Sequence, residues 1–90
     1  IDAGQTMEEL QRLADEARPA FESFGDELGV GLCWFALAHV HHMACRWQER
    51  QDALVLARLH GARAGDDFLQ EHSLWWMAAG PVRPDRRSAR

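Results

Sequence analysis

Apolar residues recur at Met7, Leu10, Ala14, Ala17, Phe21 and Phe24, alternately three and four apart. That spacing lines up one stripe of an α-helix. Thr6-Met7-Glu8-Glu9 has the form of a capping box, in which Thr6 accepts a free backbone N–H and Glu9 reaches back to Thr6. A start near residue 6 is therefore predicted. Pro19 falls inside the stripe; because the pattern continues in phase to Phe24, a kink rather than an end is predicted there. Gly25 stops the helix and Asp26 can cap the next one.

From residue 27 to about 45 the apolar positions no longer keep to one face. Leu28, Val30, Leu32, Trp34, Phe35, Leu37, Val40 and Met43 surround the helix, which marks a segment lying between neighbours. Gly29 and Gly31 cost such a helix roughly 1 kcal/mol each relative to Ala. Close approach of the first helix is the expected compensation. A third helix runs from residue 47 to 64 with Ala53, Leu54, Leu56, Ala57 and Leu59, and Gly65-Asp66 repeats the stop and cap. A fourth, over 67–79, carries Phe68, Leu69, Leu74, Trp75, Trp76 and Met77 before Gly80-Pro81 closes it. No segment alternates like a strand. The predicted fold is all-α, with four helices at about 6–24, 27–45, 47–64 and 67–79.

A shift of 40 residues brings the sequence onto itself. Gly25-Asp26 falls on Gly65-Asp66, Ala17-Arg18 on Ala57-Arg58, Leu37-Ala38 on Met77-Ala78, Glu9 on Glu49 and Met7 on Trp47. Such self-similarity predicts antiparallel helix-turn-helix units stacked side by side rather than a closed bundle. The window holds half a unit, one whole unit and the first half of a third.

Within the whole unit, Trp34-x2-Leu37-Ala38-x2-His41, then Trp47, Leu54 and Ala57, resemble the tetratricopeptide repeat. His41 stands where that family has Tyr, Cys45 at the small turn residue, Arg50 at the small residue of the second helix and Ala62 at the closing Pro. Arg50 there must snorkel or find a partner. The stretches FESFGDELG, HHMACRW, Ala62-Arg63-Ala64-Gly65-Asp66-Asp67 and AAGPV further resemble the repeat segment of large bacterial signalling regulators. Those proteins join a nucleotide-cyclase or DNA-binding output domain to an ATPase switch and a repeat array. The resemblance implies a right-handed α-solenoid fragment whose repeat core is Trp34, Leu37, Ala38, His41, Trp47, Leu54 and Ala57. It also implies a concave groove lined by Leu32, Phe35, His39, His42 and Met43, continued by His72 and Trp75.

Ninety residues allow one small domain, here the helical part to residue 80, followed by a tail at 81–90. The formal net charge of −4 argues against a general nucleic-acid surface. The tail is locally basic, with Arg83, Arg86, Arg87 and Arg90 against Asp85, and is expected to be a solvated linker. No apolar run approaches the roughly 20 residues that span a bilayer. The opening Ile1-Asp2-Ala3-Gly4 lacks an initiator Met and a signal core, so an excerpt of something larger is expected. Cys33 and Cys45, placed on one predicted helix roughly 18 Å apart, are beyond a disulfide. Two reduced, mostly buried thiols suit a bacterial cytoplasmic protein.

His39, His41, His42 and Cys45 have spacings that put His/Cys pairs on one helix face. Zinc favours such ligands, but a closed site needs about four, with His60 or His72 completing it. A metal-responsive helical sensor is therefore the alternative function. The acidic pairs at 26–27 and 66–67 sit where a helix dipole favours them, and no phosphate loop, nucleophile elbow or HExxH is present. No catalytic residue, cofactor or resident metal is assigned. The expected function is non-catalytic: a protein-interaction or ligand-sensing module of a bacterial transcriptional or signalling regulator. Its concave groove takes a peptide, protein or small ligand. Self-association through the first helix or the Trp75-Trp76 helix is expected from the apolar end faces.

Overall fold

The computed structural model describes the backbone of residues 3–79 and the side chains of 6–79. These form four helices and, among the described residues, no strand: α1 (Ala3–Phe24), α2 (Glu27–Met43), α3 (Trp47–Ala64) and α4 (Asp67–Ala78). The Gly80-Pro81 stop, the basic tail and the boundary at 80 lie outside the described residues.

Three helix ends differ from the sequence reading, the smallest difference being α4, which ends at Ala78 rather than 79. Helix α1 starts at Ala3, one turn before the proposed cap, so Thr6 sits inside the helix. Helix α2 stops at Met43 rather than 45, and Cys45 takes a left-handed φ of 59°. Pro19 is accommodated within α1, which runs on to Phe24. Phe24 is exposed, so the buried stripe of α1 ends at Phe21.

The three corners are built alike and fall twenty residues apart. Gly25, Cys45 and Gly65 have φ of 69°, 59° and 68°. At each, the left-handed residue donates its N–H three residues back, to Glu22, His42 and Ala62, at 3.1 Å in every case. The following residue donates five back, to Phe21, His41 and Gly61, at 2.9 Å in every case. This pair of bonds is the Schellman closure, which satisfies carbonyls the helix end leaves open. Asp26 and Asp66 then accept the N–H of Gly29 at 2.9 Å and of Leu69 at 2.8 Å. Arg46, at the middle corner, offers no such side-chain cap.

Helix α2 packs against α1 and α3, and also meets α4; α1 approaches neither α3 nor α4 among the described residues. Much of the apolar surface of α2 is therefore packed, while Leu28, Leu32 and Met43 stay exposed. Ala14, Cys33 and Leu37 form one buried cluster with Ala17, Phe21 and Trp34 against it. Ala38, Ala53 and Leu54 form the second, flanked by Trp34, Phe35, Trp76 and Met77. Trp34 joins the two. The glycines of α2 divide their work: a Cβ on Gly29 would lie 2.5 Å from the Phe21 ring of α1. One on Gly31 would lie 2.7 Å from Leu69 and 3.3 Å from the Ala57 carbonyl oxygen. Close approach of the first helix thus explains Gly29 alone; Gly31 is required by α3 and α4.

Candidate functional site: an aromatic and imidazole face between α2 and α4

Residues 35, 39 and 42 follow one another at helical spacing along α2, and all three reach Trp76 of α4. Ring centroids lie 5.6 Å from Trp76 for Phe35, 4.5 Å for His39 and 5.4 Å for His42. Phe35 and His39 also meet edge to face at 5.3 Å, and His42 meets Trp47 in the same way at 5.3 Å. Tilted and edge-on geometries place positive ring edges on negative faces, the arrangement aromatic pairs favour. Because a carbonyl only accepts, the 3.3 Å contact of His39 Nδ1 with the Phe35 carbonyl assigns the proton to Nδ1.

Arg50 lies beneath this face, 1 % exposed. Instead of snorkelling, it donates from Nη1 to the Trp76 carbonyl at 3.3 Å, with its guanidinium carbon 5.3 Å from the Trp76 ring and 6.0 Å from Trp47. The Trp76 carbonyl belongs to the last turn of α4, the negative end of the helix dipole, where helical donors run out. Two indole faces and that dipole hold the cation, and among the described residues no carboxylate pairs with it. Burial pushes its pKa below the ordinary arginine value. Arg50 Nε and His42 Nδ1 are both buried without a hydrogen-bond partner. Two unsatisfied polar atoms so close to one indole are unusual in a packed interior.

The residues expected to line a single groove are distributed over several places. Phe35, His39 and His42 converge. Leu32 lines a shallow groove between α1 and α2 with Leu10, Leu13 and Ala36. Met43 lines a cleft of about 320 Å³ with Met7, Gln11, Val40 and Arg46. His72 and Trp75 border an open depression with Glu71, and His72 stacks on Phe68 at 3.8 Å. Of the expected repeat core, Leu37, Ala38, Leu54 and Ala57 are buried; Trp34 and His41 are half-buried and Trp47 is exposed. Trp76, Trp47 and Arg50 are the members of the site that the groove assignment missed. Their signal was a cation at a position made for a small residue, on a chain with paired tryptophans.

The His/Cys spacing does not become a metal geometry. His39 and His42 flank Trp76, while His41 Nδ1 accepts from Arg46 Nε at 3.1 Å. His60 pairs with Glu27 at 2.7 Å, with Arg63 3.8 Å from the same carboxylate. Cys45 has left the helix and is exposed, against the expectation of burial, whereas Cys33 is buried; both are free thiols. Among the described residues no three His, Cys, Asp or Glu side chains are grouped to hold an ion. No described helix is long and apolar enough to cross a membrane. Compared with known proteins, the chain matches no family model, no curated protein and no solved structure.

Proposed function

We propose that the chain is a non-catalytic binding module made of tetratricopeptide-like hairpins, working within a larger cytoplasmic bacterial regulator. It receives a peptide segment or small ligand on the α2–α4 face. The observation that carries this reading is the convergence of Phe35, His39 and His42 on Trp76 above a buried arginine. Such a face offers wide π contact with a few polar handles and little side-chain entropy to lose. The three matching corners support the hairpin repeat. Selection of random peptides displayed on phage against the immobilised chain tests it. Peptides that bind wild type and lose at least about tenfold in affinity on Phe35→Ala or His39→Ala are the expected result. Enriched peptides indifferent to both substitutions, or none at all, overturn the assignment.

A further inference from the structure

The three corners share their backbone bonds but not their side chains. At Gly25-Asp26 and Gly65-Asp66 a glycine takes the left-handed φ without a Cβ, and the aspartate caps the next helix. At Cys45-Arg46 neither device is present: a Cβ sits on the left-handed residue, and Arg46 places no side-chain cap on α3. This corner has a side-chain bond instead, from Arg46 Nε to His41 Nδ1 at 3.1 Å. The backbone joins the same two residues, Arg46 N–H donating to the His41 carbonyl at 2.9 Å. His41 and Arg46 are thus tied twice. Phe21 and Gly61, which hold the place of His41 at the other corners, have no side-chain acceptor and are tied through the backbone alone.

The second tie exists in one protonation state only. A guanidinium N–H donates and never accepts, so the bond needs a free lone pair on Nδ1, that is, a neutral ring with its proton on Nε2. A proton on Nδ1 removes the acceptor and sets two cations against each other. Two carboxylates stand ready for the charged ring: Asp15 acts on His41 from α1 and Glu49 from α3, both favouring its charge, while Arg46 opposes it. Among the described residues these are the charged groups that act on it. Burial first, then Arg46, holds the His41 pKa below the ordinary 6.5, so the neutral ring is the form present at neutral pH. One proton therefore chooses between two sets of partners, the guanidinium of the corner or the carboxylates of the flanking helices.

We infer that the α2–α3 corner is a proton-operated joint: protonation of His41 breaks its bond to Arg46 and loosens residues 44–47, while both glycine corners stay closed. The loosening reaches the start of α3, because Trp47 follows Arg46 directly and its ring meets His42 across the corner at 5.3 Å. The joint works with or without a ligand on the α2–α4 face and so stands apart from the proposed function.

Hydrogen exchange followed by NMR on the whole chain tests this, with the glycine corners as controls in the same molecule. Imidazole nitrogen spectra should show His41 Nδ1 unprotonated at pH 7.5 and report when the ring becomes charged as the pH is lowered. Over that step the amide protection factors of Cys45 and Arg46 should fall about two- to tenfold, the net worth of one hydrogen bond. Those of Gly25, Asp26, Gly65 and Asp66, which make the same backbone bonds, should not change. His41→Asn puts an oxygen acceptor near the Nδ1 position and does not titrate, so its corner should stay protected throughout. Arg46→Met removes the donor, so its corner should show the lower, acid-like protection at every pH. A proton on Nδ1 at pH 7.5 overturns the inference, as does unchanged protection at Cys45 and Arg46 once His41 is charged. So do an equal loss at all three corners, an acid loss that persists in either variant, or a chain that unfolds before His41 is charged.

Discussion

Cys45 has the backbone of Gly65, with φ of 59° against 68° and the same two closing hydrogen bonds twenty residues apart. A side chain in that conformation costs roughly 1–2 kcal/mol, set against the larger entropy glycine loses on folding. Cys45→Gly should therefore raise stability by about 0.5–1 kcal/mol, read as a higher urea midpoint at unchanged slope. A lower midpoint would mean the thiol makes a contact that outweighs its backbone strain.

The two thiols should separate in time. Cys45 is exposed, whereas burial raises the Cys33 pKa and hides the sulfur between α1 and α2. A disulfide reagent at neutral pH should modify one thiol per chain promptly and the second only as the protein opens. Cys45→Ser should abolish the fast phase alone.

Gly29 and Phe21 should show a sign change in a double-mutant cycle. An Ala Cβ at 29 would press on the Phe21 ring at 2.5 Å. Overpacking of this kind costs roughly 1–3 kcal/mol, while Gly→Ala within a helix gains roughly 1 kcal/mol. Gly29→Ala should destabilise the wild type by about 1 kcal/mol yet stabilise a Phe21→Ala background. Equal effects in both backgrounds would disprove the contact.

Among the described residues no carboxylate holds Arg50, so its charge adds little to stability. Arg50→Met, which keeps most of the volume, should be neutral or stabilising by about 1 kcal/mol. Arg50→Ala, which opens a cavity under Trp76, should cost about 2–4 kcal/mol. Thermal denaturation distinguishes these. If Met proves as damaging as Ala, the cation itself is essential to the packing.

His41 sets an acid limit. Burial, then the neighbouring Arg46, lowers its pKa from the ordinary 6.5. Below pH 6.5 the unfolded chain takes up a proton that the folded chain resists, so stability present at neutral pH is lost as pH falls through the folded value. Stability measured between pH 7.5 and 5 should decline, and His41→Gln should flatten that decline. An unchanged slope in the variant would assign the acid sensitivity to another group.

Four helices and two of three corners were legible because glycine followed by aspartate is a direct statement about backbone: a left-handed stop, then a cap. The middle corner was placed at Cys45 only through the repeat resemblance, and α2 was ended two residues late because cysteine carries no turn preference. Trp76 was missed for a different reason. Leu74-Trp75-Trp76-Met77 is apolar at four successive positions, so periodicity cannot say which faces inward. Arg50 stood out at a small-residue position as a charge that must snorkel or find a partner, but that the partner is a helix end could not be read from the sequence. The α1–α2 groove was not separable from the α2–α4 face, because residues 32 and 35 are neighbours on one helix surface.

Helix α2 alone touches every other element. A disturbance in α1 or α4 can stay where it arises, but one in α2 removes all the packing of α1 and much of that of α3. Amide exchange should accordingly be slowest along residues 30–40 and quicken outward to both termini, with the flanks opening independently. A chain organised this way can surrender an outer helix to a neighbour and still hold its shape.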